Sequence, residues 1–141
     1  PELSLRKAHL LHDAGMPRQM VNYLGLCMFV PWSRQQISEA VQAVTGWPVS
    51  YAELAKAVER GMALARVFNF REGFTRKDDA LPRRFASSPS AGPLSAVVVD
   101  PARLEEVQQE YFRKLGWNEE GLPTKEKCAE LGIEWAEEYL R

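Results

Sequence analysis

Signals that start and stop α-helices recur along almost the whole chain, and they constrain its fold more than composition does. Ser33-Arg-Gln-Gln36 and Ser50-Tyr-Ala-Glu53 are capping boxes. In each, the serine hydroxyl and the side chain three residues later satisfy N–H groups that a helix start leaves orphaned. Behind the first, Ile37, Ala40, Val41 and Val44 recur at helical spacing, and Gly46 ends the run. Behind the second, Tyr51, Leu54, Ala55, Val58, Met62, Ala65 and Phe68 predict one apolar stripe about five turns long. Asp100-Pro101 sets a cap before a proline at the first helical position. Leu104, Val107, Tyr111 and Leu115 then predict an inner face, closed by Gly116. Thr124 predicts a short helix ending at Gly132. Near the start, Ser4 opens a helix toward Gly15, and Pro17 opens a shorter one that stops at Gly25.

The expected fold is therefore all-α, an irregular helical lobe of about six helices. Between Gly73 and Asp100 the helical signal disappears. Pro82, Pro89, Pro93, Gly92 and the serines at Ser87, Ser88, Ser90 and Ser95 mark a long Pro/Ser-rich loop, either functional or draped over a partner surface. Ala96 to Val99 is the only strand-like run, and one short strand makes no sheet. We expect one domain over residues 1–141, with sub-lobes 1–73 and 100–141 joined by a loop over 74–99. A chain of 141 residues buries roughly two-thirds of the surface it exposes when unfolded, enough for a core without disulfides.

Charge and sulfur narrow the function. Eighteen Lys and Arg against nineteen Asp and Glu leave no basic excess for phosphates, so nucleic acid is not an expected partner. The longest apolar run, Leu24 to Trp32, is far short of the ~20 residues of a membrane span and contains Gly25 and Pro31. No signal peptide or twin-Arg start is evident, and two Cys make no disulfide framework, so the expected setting is cytoplasmic. Two Cys alone also cannot complete a four-ligand metal site.

Four regions offer chemistry. His9 and His12 share a helix face but have no completing ligand beyond Asp13, which lies on a neighbouring face, so they read as surface residues. The helix from Asp100 to Leu115 carries Glu105, Glu106, Glu110, Arg113 and Lys114 as a solvated, ion-paired face. From Arg66 to Arg84, dense charge of both signs lies beside Phe68, Phe70 and Phe74. This predicts a salt-bridged turn that holds the lobe together, in preference to a substrate contact. In Gly25-Leu26-Cys27, a glycine at a helix end precedes a cysteine on a loop. That cysteine is either a thiolate ligand or an inert, buried side chain among Leu26, Met28 and Phe29.

Several stretches taken together resemble one family. Asn22-Tyr-Leu-Gly-Leu-Cys27, Arg66-Val-Phe-Asn-Phe-Arg-Glu-Gly73, Lys77-Asp-Asp-Ala-Leu-Pro-Arg83, Glu110-Tyr-Phe-Arg-Lys-Leu-Gly-Trp117, Gly121-Leu-Pro-Thr124 and Leu131-Gly-Ile133 occur in the order of the C-terminal region of the aldehyde ferredoxin oxidoreductases. The resemblance covers nearly the whole chain. It implies a tungsten (sometimes molybdenum) enzyme in which two pterin dithiolenes hold the metal and an aldehyde is oxidised to a carboxylate. Electrons leave through a 4Fe-4S cluster to ferredoxin.

The resemblance also assigns residues. Within the family, an Asp-x-x-Gly-Leu-Cys motif lies against one pterin, and its Cys is the fourth cluster ligand. Carried over, Asn22, Tyr23, Leu24, Gly25 and Leu26 form the pterin-facing turn and Cys27 is the cluster ligand; no catalytic residue is assigned. Asn22 stands where the family usually has Asp. A carboxylate only accepts hydrogen bonds, whereas this amide both donates and accepts. The family's other three cluster cysteines lie in an upstream motif, and Cys128 falls in a short helix that does not suit a ligand. The chain therefore resembles the C-terminal piece of a larger enzyme, partnered by that enzyme's N-terminal and middle parts. Alone it is expected to bind no cofactor and to be inert. Apolar surface around Leu26, Met28, Phe29 and Trp32 is expected to promote self-association. The alternative is a non-catalytic helical interaction domain, or degenerate paralogue, that kept the family's packing and lost its chemistry.

Overall fold

The computed structural model describes residues 3–95 and 97–140. Five α-helices carry the fold: α1 (Leu5–Tyr23), α2 (Arg34–Thr45), α3 (Tyr51–Arg71), α4 (Pro101–Leu115) and α5 (Lys125–Leu131). Three 3₁₀ segments join them, at Arg76–Asp79, Arg83–Ala86 and Glu134–Leu140. No strand occurs among the described residues; Trp117 and Pro123 form one isolated bridge. The protein is the all-α lobe that the helix punctuation predicts. Among the described residues, no helix is long and apolar enough to cross a membrane.

Both capping boxes close. Ser33 Oγ accepts from the Gln36 N–H at 3.1 Å and Gln36 Oε1 accepts from the Ser33 N–H at 2.9 Å. Ser50 and Glu53 repeat the exchange at 3.3 and 2.8 Å. Asp100 caps α4 through the Ala102 N–H, and Thr124 caps α5 through the Lys127 N–H.

The N-terminal region departs from expectation. One helix, α1, runs unbroken through Gly15 and Pro17 where two shorter ones were predicted. Proline in a helix interior costs about 3 kcal/mol. Burial on both sides of it offsets that cost. Ala8 is buried on the stretch packed against α4, and Met20 and Val21 are buried against Ile37, Leu54 and Val58.

Helix α3 is the shared wall of two cores. Leu54 and Val58 face the first, with Met20, Val21 and Ile37. Ala63 and Val67 face the second, with Cys128, Leu131, Ile133 and Ala136. The predicted single stripe therefore shifts face halfway along, leaving Ala65 and Phe68 exposed. Val44, expected on the inner face of α2, is 87% exposed, because α2 is covered only along its first turns. The predicted helices end at Gly132, whereas Ile133 and Ala136 are core residues and Glu134–Leu140 packs on α3.

The charged corner after α3 is ion-paired. Arg66, half-buried, grips Asp79 with two bonds of 3.0 and 2.6 Å, and its Nε donates to the Gly121 carbonyl at 2.8 Å. Arg76 donates to Glu105 at 2.7 Å and to Gln108 at 2.9 Å, and lies over the Phe112 ring at 5.1 Å. Gln108 returns a bond to the Asp79 carbonyl at 3.0 Å. Four segments distant in sequence thus meet at two guanidinium groups.

Two predictions follow from these packings. A Cβ on Gly61 of α3 would lie 2.2 Å from Cε1 of Tyr23, so the tyrosine ring lies on the bare glycine. Gly→Ala in a helix normally stabilises by about 1 kcal/mol. Here the clash reverses the sign: Gly61→Ala destabilises by about 1–3 kcal/mol in urea unfolding, and adding Tyr23→Ala removes the clash. A stabilised single variant contradicts this packing.

The second concerns acid. Ser50 holds the Glu53 carboxyl below its ordinary range through its hydroxyl and N–H, and the Thr75 N–H and hydroxyl do the same for Asp78. The Gln109 amide, and then Arg76, lower Glu105. A carboxyl lowered in the folded state binds fewer protons there than in the unfolded chain. Its contribution is present above the unfolded value, near pH 4–4.5, and is lost as pH falls through the folded one. The urea midpoint is therefore expected to be unaffected by these groups between about pH 7 and 5.5 and to fall below about pH 4. A midpoint that rises on acidification below about pH 4 contradicts this.

Candidate functional site

The last turn of α1 ends in a complete Schellman motif. Gly25 N–H donates to the Asn22 carbonyl at 3.2 Å and Leu26 N–H to the Val21 carbonyl at 2.9 Å. The motif needs a left-handed residue after the cap, and Gly25 supplies it with φ +66°. A Cβ there would meet nothing within 4 Å, so the turn's outer side is open to another group. Leu26 and Leu24 pack against the first core. These contacts fix the turn from within, and its outward groups are left to solvent.

The residues of the predicted turn are contiguous but differ in role. Asn22 is exposed at the helix end, with its amide free of side-chain hydrogen bonds among the described residues. Tyr23 has its ring against Gly61, and partial burial raises its phenol above the usual range. The Leu26 N–H is engaged in the turn, so its carbonyl is the main-chain group it can offer outward.

Cys27 is exposed in this chain and not buried among Leu26, Met28 and Phe29. Its carbonyl accepts from the Trp32 indole N–H at 3.0 Å and from the Val30 N–H at 3.3 Å. Cys128 has the opposite environment. It is wholly buried in the second core, and burial, with Glu137 and Glu134 nearby, pushes its thiol up. A thiol held protonated is a poor ligand and a poor nucleophile.

The two histidines do not converge. His9 Nε2 contacts Glu110 at 2.6 Å, and His12 Nδ1 contacts Asp13 at 2.9 Å. Among the described residues, no three His, Cys, Asp or Glu side chains gather as a metal site. Cys27 can therefore offer at most one ligand, not a set.

Beyond Cys27, Met28, Phe29 and Val30 are exposed, Phe29 to 90%. Trp32 and Leu26, expected to share that exposed surface, instead pack partly into the first core. A hollow of about 530 Å³ lies under the loop, lined by Pro17, Val21, Met28, Phe29 and Trp32 among others. The sequence placed Trp32 only on that exposed apolar surface, by its position at the end of the apolar run, and assigned no role to Gly61.

Comparison with known proteins identifies the family. The family model described as aldehyde ferredoxin oxidoreductase, domains 2 & 3, matches residues 2–133. The tungsten-containing aldehyde ferredoxin oxidoreductase of Thermococcus kodakarensis is 34% identical over 118 residues, covering 81% of this chain and 19% of that protein. Its counterpart from Pyrococcus horikoshii is 34% identical over 119 residues, covering 82% and 19%. The chain thus spans about a fifth of the length of these relatives. Among solved structures, the active site complex BamBC of a benzoyl coenzyme A reductase with 1,5-dienoyl-CoA is similar, with a TM-score of 0.71 at 25% identity. That match covers 86% of this chain and 18% of the other. The family-model match over nearly the whole chain and the identity to these relatives place this chain in the aldehyde ferredoxin oxidoreductase family.

Proposed function

We propose that this chain is the C-terminal part of a tungstopterin aldehyde:ferredoxin oxidoreductase, in which Asn22, Tyr23, Leu24, Gly25 and Leu26 line a pterin and Cys27 is one thiolate ligand of a 4Fe-4S cluster. The observation that carries this reading is the contrast between the two thiols. Cys27 is exposed just beyond the Schellman turn, whereas Cys128 is sealed in the core.

The donor set fits such a cofactor in part. A 4Fe-4S cluster takes four cysteine thiolates, and this chain can offer Cys27 alone. The other three ligands then come from another part of the same enzyme. When bound, the tungsten bis-pterin supplies two-electron oxidation of an aldehyde to a carboxylate, and the cluster supplies the one-electron outlet to ferredoxin.

The chain's own residues bind and orient. Open space over Gly25 admits close approach to the backbone. The Asn22 amide can donate to and accept from a heterocycle. The Leu26 carbonyl adds an acceptor. Met28, Phe29 and Val30 supply apolar surface suited to contact with the remainder of the enzyme. On this reading the 141-residue chain is inert alone, since it lacks three ligands and most of the substrate cavity.

Replacing the ligand tests the proposal. In the full-length enzyme, Cys27→Ala is expected to lower iron and acid-labile sulfide, measured against protein, to well under half of the wild-type content. Unchanged iron and sulfide contradict the ligand assignment.

A further inference from the structure

Cys27 lies between two fixed points. On its N-terminal side, the Gly25 and Leu26 N–H groups are tied to the last turn of α1. On its C-terminal side, its carbonyl takes two donors, the Trp32 indole N–H at 3.0 Å and the Val30 N–H at 3.3 Å. These donors are not equivalent. Val30 belongs to the exposed stretch Met28–Val30, which has little packing of its own. Trp32 packs against the core of Met20, Val21, Ile37, Leu54 and Val58. Its main-chain N–H also donates to the Val30 carbonyl at 2.8 Å, which draws the loop into a tight turn. The indole is therefore the donor through which the core reaches the Cys27 peptide.

We propose that Trp32 is a positioning residue for Cys27: its core-anchored indole N–H holds the Cys27 carbonyl and thereby sets the direction in which the thiol leaves the chain. This rests on Cys27 being a cluster ligand, as proposed above. The physical link is short. The carbonyl's orientation follows ψ of Cys27, and the loop's path past the residue determines how its Cα–Cβ bond faces the ligand position. Hydrogen bonds that orient a ligand from behind, and the solvent access they control, tune the potential of an iron-sulfur cluster. A tryptophan that served packing alone would influence stability and leave the potential unmoved.

The test uses the full-length holoenzyme and two replacements at position 32. Trp32→Phe keeps an aromatic ring and removes the N–H. Benzothienylalanine, incorporated at the same position, keeps the bicyclic shape and removes only the donor, so it serves where the phenylalanine variant does not fold. Iron per protein is measured first. The reduced fraction of the cluster is then read by electron paramagnetic resonance at one fixed potential near the wild-type midpoint. The expected result is retained iron with the reduced-to-oxidised ratio changed at least about threefold, the scale on which one hydrogen bond weights two states. A ratio equal to wild type in a folded, iron-replete variant overturns the role of Trp32. If Cys27→Ala also keeps its full iron, the ligand reading falls, and this role with it. If Cys27→Ala loses iron while the Trp32 variants keep the wild-type ratio, the role of Trp32 alone is overturned.

Discussion

The rest of the structure depends on the guanidinium of Arg66. It projects from the second half of α3, takes both oxygens of Asp79, and its Nε–H donates to the Gly121 carbonyl. A planar, always-charged fork fits a carboxylate in a way that a lysine ammonium does not. One side chain thereby fixes the segment after α3 and the turn between α4 and α5 against the same helix. Arg76 extends the joint to α4 through Glu105, Gln108 and the face of Phe112. Beyond this joint, the described residues between Phe74 and Asp100 are held by short 3₁₀ turns and by bonds such as that from the Val99 N–H to the Phe85 carbonyl.

Because α3 is fixed in this way, it can serve two cores at once. Its first half supports the end of α1, and with it the turn from Asn22 to Cys27. Its second half buries Ala63 and Val67 against α5 and the C-terminal 3₁₀ segment. Gly61 lies between the two halves, where the Tyr23 ring needs a helix surface without a Cβ. On the proposed reading, holding and acting fall to different side chains even within one turn. The ion pairs and the two cores hold the lobe, and Leu24, Leu26 and the Tyr23 ring pack inward with them, while the side chains of Asn22 and Cys27 are exposed.

Much of this was legible in the sequence because it is local. Capping boxes, left-handed glycine ends and the proline at the start of α4 depend on neighbours within four residues, and apart from the end expected at Gly15 they formed. What failed depended on partners distant in sequence. Pro17 looks like a start signal until Met20 and Val21 are seen to be buried beyond it. Phe68 fits the apolar spacing, but the second core approaches α3 from the side of Ala63 and Val67. The acidic C-terminal run hides Ile133 and Ala136, which are core only because α3 is there to cover them. For the site, the Gly-Leu-Cys turn was readable as a helix end, and the resemblance assigned its use. The bond from Trp32 to Cys27 was not readable, since nothing in a tryptophan five residues on says where its N–H points.

The division between holding and acting residues is the central claim, and equilibrium urea unfolding of the 141-residue chain tests it most directly. Arg66→Lys removes the fork and leaves Asp79 poorly paired, and it is expected to cost about 2–4 kcal/mol. Cys27→Ser changes an exposed side chain with no packing duty, and it is expected to stay within about 0.5 kcal/mol of the parent. The reverse ranking, with Cys27→Ser the more damaging change, contradicts the account.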